Sequence, residues 1–364
     1  MHAAPPMRTA PPRTLESDVR SDRLSALWRR SWSEMWSWSP MWLLSCLSVL
    51  GSMCAHADWH EQTRNYMGTR VHVEVWSDDA KSAAAGIDAV MDEMDRIEKM
   101  MSPMRESSAL SLLNREGAQR AVEVPPELFE VIQKSLIVSK LSGGAFDVTF
   151  ASVGRYYDYR AKHRPDAATL AAALPAINFR HLQLDARAHS VHYTHPGVYV
   201  DLGGIAKGYA VDRGIALLRA RGFKEMLVNA GGDTRLLGDR HGKPWIIGIK
   251  DPAGGDKPIA LLPLENVAVS TSGDYERFFE EDGVRYHHII DPGTGDSARA
   301  VRSVTIIGDD ATWTDALSTT VFVLGAEKGL ALVDRLGNVD AVVIDRDGAL
   351  RYSKSLSRLG ASPR

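Results

Sequence analysis

The sequence predicts an α+β fold, in which strands and helices are mixed without a regular β-α-β alternation. Of its 364 residues, 44% are hydrophobic and 24% are charged, a composition typical of a folded globular protein. Valines alternate over 69–75, as in a half-buried strand, whereas apolar residues follow helical spacing over 80–101. The net charge of −3 gives no electrostatic reason to expect nucleic-acid binding.

Caps and breakers set the ends of the predicted elements. Asp78 or Asp79 can cap the helix at 80–101, and a second helix begins at Pro125-Pro126 and runs to Leu141. The other predicted strands are 198–202, 226–229, 286–290 and 303–307, with a hairpin near 339–352, and the other helices are a short one in 161–175, 205–221, 314–324 and 326–336.

The N-terminal region predicts export. An apolar stretch at 41–51 is preceded by Arg29 and Arg30 and followed by Ala55-His56-Ala57, the order of a secretory signal peptide. We therefore assign residues 1–57 to a signal peptide with a long N-terminal extension and expect a periplasmic protein. A membrane anchor or a buried helix is the alternative, but the stretch is short for a bilayer span.

The two cysteines agree with export. Cys46 and Cys54 both precede the predicted cleavage point, so the mature chain would carry no thiol in an oxidising compartment. The segment 43–46 also loosely resembles a lipoprotein cleavage box, which would attach the protein to the inner membrane.

Two glycine-rich segments could hold an anion. Segment 201–209 leads from a predicted strand through Gly203-Gly204 into a helix, where backbone N–H groups and Lys207 could face a phosphate. Segment 229–233 follows a buried strand and ends in Asp233, which could bind a polar group. Each is also common as a simple packing turn, and 201–209 matches neither P-loop nor G-x-G-x-x-G spacing.

Two polar segments could supply a base and a metal site. His287 and His288 are adjacent on a predicted strand, so only one can face a given site. Asp315 and Thr319 lie at i and i+4 of a predicted helix, an oxygen-donor pair suited to Mg²⁺, although a cap and an exposed hydroxyl would give the same pattern. This set of groups favours phosphoryl-type transfer.

At these residues the chain resembles the FAD:protein FMN transferase family, also called the ApbE family, over about residues 65–355. The resemblance implies an ApbE-like fold of mixed sheets with packed helices over 58–356, an active site in a cleft between two subdomains, and a tail over 357–364. The matching segments, in the family's order, are 66–69, 107–111, 143–147, 201–209, 229–233, 270–277, 288–295 and 314–320.

The resemblance also implies a reaction. FAD is cleaved at its pyrophosphate, FMN is attached through a phosphoester to a threonine or serine of a target flavoprotein, and AMP leaves. The implied partners are FAD, Mg²⁺ and an exported target domain of a membrane redox complex. The alternatives are an FAD pyrophosphatase, with water as acceptor, and a non-enzymatic flavin-binding protein.

Roles carry over to individual residues through the same resemblance. His288 would be the base, with His287 or Asp274 as alternatives, and its ordinary pKa of about 6.5 suits that role. Met104 stands where family members often carry an aromatic residue, which affects the flavin contact. The implied FAD contacts are Met67, Ala145, Phe146, Asp147, Asp201, Lys207 and the backbone of Ile289, and the implied Mg²⁺ ligands are the Gly204 carbonyl, Asp315 and Thr319.

Overall fold

A computed structural model describes residues 57–255 and 257–358. Almost all of the predicted signal peptide, including both cysteines, and residues 359–364 of the predicted tail lie outside these ranges. The first strand begins at Asp58, and the last helix continues to Arg358, two residues into the segment that we assigned to the tail.

Strands and helices are mixed along the chain, which confirms the α+β class. The helices are α1 Ala80–Met101, α2 Ala109–Glu116, α3 Pro126–Leu141, α4 Ala151–Gly154, α5 Ala167–Ala173, α6 Ala206–Ala220, α7 Ala311–Leu336 and α8 Lys354–Arg358. The strands are β1 Asp58–Tyr66, β2 Thr69–Ser77, β3 Val122–Glu123, β4 Leu182–Asp185, β5 Ser190–Tyr193, β6 Met226–Ala230, β7 Asp233–Leu237, β8 Trp245–Lys250, β9 Pro258–Leu264, β10 Ala268–Gly273, β11 Phe278–Glu281, β12 Val284–His287, β13 Val301–Gly308, β14 Asp340–Asp345 and β15 Leu350–Tyr352.

The centre of the fold is an antiparallel sheet with the strand order β1-β2-β6-β7-β10-β13-β14-β15. Helices α1, α6 and α7 pack against it. On β2, Val71, Val73 and Val75 are fully buried in the core, as their alternation predicts. The sheet therefore has a helix-covered face, while the side chains between these valines point to the opposite face.

Helix α7 is the central core helix. By length and composition it could cross a membrane, but more than half of its most apolar stretch is buried within the protein. Its path breaks at Gly325, whose φ of 79° and ψ of 173° are not helical, which agrees with the two helices predicted there. The described residues belong to one compact unit, and its two largest hydrophobic clusters meet on α7, at Ala316 and Leu317.

The prediction of a strand at 198–202 is wrong. The segment joins no sheet, because side chains and distant backbone groups satisfy its hydrogen bonds. Val200 N–H donates to Asn114 Oδ1 (2.8 Å), Asn114 Nδ2 donates to the Val200 carbonyl (2.9 Å), and Asp201 N–H donates to the Val148 carbonyl (2.9 Å). One asparagine thus supplies both contacts that a neighbouring strand would give.

We expect Asn114→Ala to lower the free energy of unfolding by roughly 2–4 kcal/mol, because both polar groups of Val200 lose their partner. Urea denaturation measures this change. Asn114→Asp keeps the acceptor and loses the donor. Its free energy of unfolding should therefore lie between those of Asn114→Ala and the wild type. Gln119→Ala, a change at an exposed amide, is the matched control. An Asn114→Ala protein as stable as this control would contradict the assignment.

Candidate functional site

Helices α6 and α7 touch at Gly208 and Asp315. Gly208 N–H donates to Asp315 Oδ2 (3.0 Å), and a Cβ at position 208 would lie 2.1 Å from the Ala311 carbonyl oxygen. Only glycine allows this approach. Asp212, one turn further along α6, fixes the start of α7 by accepting from the N–H groups of Ala311 (3.0 Å) and Thr312 (2.8 Å).

The Lys207 ammonium lies between two buried carboxylates. Its Nζ is 3.0 Å from Asp233 Oδ2 and 3.2 Å from both oxygens of Asp315, and it donates to the Gly203 carbonyl (2.9 Å). Asp233 and Asp315 are only 2% and 3% exposed. The three charged groups therefore form one cluster, which we call the Asp-Lys-Asp cluster.

This cluster carries more negative than positive charge when both acids are ionised. Burial, followed by the nearby Asp233, raises the pKa of the Asp315 carboxyl to about 7, and Lys207 opposes that rise. Burial disfavours the Lys207 ammonium, but the two carboxylates outweigh it and raise its pKa above the ordinary value. Such an arrangement attracts a further cation.

Gly204 and Thr319 meet beside this cluster. A Cβ at position 204 would lie 3.3 Å from Thr319 Oγ1 and 3.2 Å from Phe146 Cε2. Thr319 Oγ1 is also 3.4 Å from Ser272 Oγ, which bonds Ser318 Oγ (2.8 Å). The structure thus brings the three predicted metal ligands to one junction of α6 and α7, and their donors are all oxygen atoms, as hard cations prefer.

The two histidines differ because β12 ends between them, so the strand predicted over 286–290 stops at His287. His287 is buried, and its Nε2 lies 2.7 Å from the Ala298 carbonyl oxygen, which makes it a structural residue. His288 is partly exposed, its N–H donates to the Arg277 carbonyl (3.2 Å), and its buried Nδ1 has no hydrogen-bond partner among the described residues.

His288 is therefore the candidate base, with a ring nitrogen that is unpaired among the described residues. Burial, and then the positive charge of Arg277, lowers the pKa of His288 to about 3, below the ordinary value of about 6.5 on which its predicted role rested. The ring is therefore neutral, but it is a weaker base than the sequence predicted. The alternative Asp274 is engaged by Arg285 (3.3 Å) and Arg302 (3.4 Å).

The predicted flavin contact Met67 lies on an open cavity of ≈ 650 Å³. Its φ is 53°, and its N–H donates to Glu98 Oε2 (2.8 Å). Arg277 Nη2 donates to the Gly68 carbonyl (3.1 Å), which links this loop to His288. Met104 is 88% exposed, so it packs against little of the protein. The cavity is lined by Asn65, Tyr66, Met67, Gly68, Thr69, Arg70, Asp95, Glu98 and Arg105.

Asp147, another predicted FAD contact, is hydrogen-bonded to other parts of the protein. Asp147 accepts from Thr149 N–H (2.8 Å) and from Phe179 N–H (2.7 Å), so its carboxylate orders the loop that carries Ala145 and the buried Phe146. Burial raises the pKa of Asp147 in spite of these bonds.

Asp201 and Ile289 are held in a similar way. Asp201 Oδ1 accepts from Gly203 N–H (2.7 Å), which shapes the glycine turn, and burial raises the pKa of Asp201. The Ile289 N–H donates to His287 Nδ1 (3.3 Å), and its carbonyl accepts from Ala298 N–H (2.9 Å).

Sequence reasoning did not place Asp233, Ser272 or Asp212 in the site. Asp233 belongs to a segment that we had noted, but its pairing with Lys207 joins residues 26 positions apart, which no local pattern reveals. Ser272 lies in the matching segment 270–277 but was given no role, and Asp212 carries no sequence signal beyond its residue type.

Comparison with known proteins places the chain in one family. Residues 67–343 match the ApbE family. An FAD:protein FMN transferase of Treponema pallidum is 36% identical, with 86% of this chain and 92% of that protein aligned, and one of Klebsiella pneumoniae is 32% identical over 82% and 92%.

Solved structures show the same fold. The ApbE protein of Thermotoga maritima superposes with a TM-score of 0.77 at 35% identity, covering 84% of this chain and all of that one. The flavin transferase ApbE of Vibrio cholerae gives a TM-score of 0.73 at 28% identity, covering 83% and 99%. The family match over residues 67–343 includes the elements that build the site, and this chain belongs to the ApbE family.

Proposed function

We propose that this protein is an FAD:protein FMN transferase that moves FMN from FAD to a threonine or serine hydroxyl of a target flavoprotein. The observation that carries the proposal is a neutral histidine with a ring nitrogen unpaired within the described chain, His288, in the same site as the Asp-Lys-Asp cluster. Phosphoryl transfer to a hydroxyl requires a base and a cation that neutralises the phosphate charge, and the negatively charged cluster would hold such a cation. The names of the Treponema and Klebsiella relatives support the choice of FAD and a protein acceptor.

Mg²⁺ fits the residues present. The Gly204 carbonyl, the Asp315 carboxylate and the Thr319 hydroxyl would hold it, because all three are oxygen donors at the junction of α6 and α7 and the cluster has an excess of negative charge. When bound, the ion would neutralise charge on the pyrophosphate oxygens of FAD.

The protein's own residues account for the rest of the reaction. His288 accepts the proton of the target hydroxyl on its imidazole ring, and the hydroxyl oxygen bonds to the phosphorus of the FMN half. The bond between that phosphorus and the bridging oxygen breaks, and AMP leaves with the bridging oxygen and its electron pair. Lys207 holds the Asp233 and Asp315 carboxylates in place beside the proposed metal ligands.

We also propose that the enzyme acts after export. The signal peptide proposed over 1–57 would deliver the enzyme to the periplasm, free or attached to the inner membrane. There the acceptor would be an exported domain of a membrane redox complex.

We expect His288→Ala to lower the transfer rate by about a hundredfold to ten-thousandfold, the range typical of a lost general base, and to leave FAD binding intact. Incubation with FAD, Mg²⁺ and a threonine-bearing target, followed by mass spectrometry, measures the mass of one added FMN. His163→Ala, a change at an exposed histidine, is the matched control. A His288→Ala enzyme with the control's rate would move the base elsewhere, whereas free FMN without target modification would indicate a hydrolase.

We expect Mg²⁺ binding to weaken by about tenfold between pH 8 and pH 6, because protons compete for the Asp315 carboxyl, whose pKa is raised to about 7. An ordinary aspartate would be ionised over that whole range and would give no change. Calorimetric titration with Mg²⁺ at the two pH values tests this. The Asp315→Asn side chain can still accept a hydrogen bond from Gly208 N–H. In this variant, Mg²⁺ binding should be lost at both pH values. Undiminished Mg²⁺ binding by that variant would refute the ligand assignment.

A further inference from the structure

Two facing carboxylates lie on the sheet face that is opposite to the helices. Glu61 on β1 and Glu74 on β2 are direct cross-strand partners, and His72 precedes Glu74 by two positions on the same face. Like charges opposite each other destabilise an antiparallel pair. The Glu74 side chain is only 5% exposed, so water does little to screen it.

One guanidinium balances part of this charge. Arg240 Nη2 lies 2.6 Å from Glu74 Oε1 as an ion pair, outside hydrogen-bond geometry, and its Nη1 donates to Glu74 Oε2 at 3.3 Å. The guanidinium is packed over the rings of Trp59 and Trp245, at 5.2 Å from each ring centre. Arg240 thus orients Glu74, and its single positive charge offsets one of the two carboxylate charges. The negative charge of Glu61 is not offset by Arg240.

The His72 ring faces both acids without a hydrogen bond to either. Its Nδ1 is 2.9 Å from Thr63 Oγ1, while its Nε2 is 3.7 Å from Glu61 Oε2 and 4.0 Å from Glu74 Oε2. Both Nε2 distances are too long for hydrogen bonds. The contact with Thr63 fixes the ring, as outer contacts do for metal-binding histidines.

The three atoms therefore converge on one point. One ligand atom from each residue lies within 4.8 Å of the other two. Tetrahedral zinc sites, with bonds of 2.0–2.2 Å to nitrogen and oxygen, hold their ligand atoms roughly 3.3 Å apart. The Glu61 side chain is 64% exposed and that of His72 is 29% exposed, so both have room to close this difference around the buried Glu74.

We propose that Glu61, His72 and Glu74 bind one Zn²⁺ ion, with water in the fourth position. One imidazole and two carboxylates suit Zn²⁺ better than Mg²⁺ or Ca²⁺, which prefer all-oxygen ligands. The ion would join β1, the edge strand of the large sheet, to β2. This site is separate from the catalytic one, because Val71 and Val73 on either side of His72 face the helix-covered core instead.

The test is titration of the full-length protein with Zn²⁺ by calorimetry, with saturating Mg²⁺ present and Cys46 and Cys54 blocked by alkylation. We expect one Zn²⁺ per chain in the wild type and a higher thermal unfolding midpoint once it is bound. His72→Ala and Glu61→Gln should weaken binding by about tenfold or more and remove the thermal shift.

Two controls separate this proposal from the enzymatic one. His163→Ala, a change at an exposed histidine outside the cluster, should bind Zn²⁺ as the wild type does, and so should Asp315→Asn. His72→Ala should keep its transferase rate. Equal Zn²⁺ binding by wild type and His72→Ala, or no binding by the wild type at micromolar Zn²⁺, would overturn the zinc site without affecting the proposed function.

Discussion

The proposed catalytic site depends on one interaction, the burial of the Asp233 and Asp315 carboxylates against the ammonium of Lys207. Removing one partner of a buried ion pair typically costs about 3–5 kcal/mol, because the other charge is left uncompensated. The fold therefore has to hold β7, α6 and α7 in fixed relative positions. The same arrangement leaves an excess of negative charge at the point where a divalent cation and two phosphates would be handled.

Close helix packing makes that burial possible. The contact at Gly208 brings the α6 backbone to the Asp315 carboxylate, and Asp212 anchors the first turn of α7. Because Gly208 and Asp212 both lie within α6, the segment that begins at Asp201 and leads into α6 controls the position of two sides of the site. The helix that carries Asp315 and Thr319 is also the main core helix, so stability and site geometry are tied to the same packing.

The two faces of the large sheet have different chemistry. The helix-covered face buries valines and supports the catalytic groups, whereas the opposite face carries Trp59, Arg240 and the acids of β1 and β2. Alternation along a strand makes this separation possible, because neighbouring residues of β2 point to opposite faces. A zinc ion on the outer face would therefore strengthen the sheet edge without entering the active site.

Local patterns in the sequence determined much of this protein. The alternating valines gave β2, the cap and breaker residues gave α1, α3 and α6, and the i, i+4 spacing placed Asp315 and Thr319 on one helix face. The order of the motifs indicated the family. Only the tertiary structure decided that Asn114 replaces a strand partner for Val200, that β12 ends between the two histidines, and that Asp233 joins Lys207. Those features depend on contacts between residues far apart in the chain, and the energy of such contacts is set by packing and burial rather than by neighbouring residues.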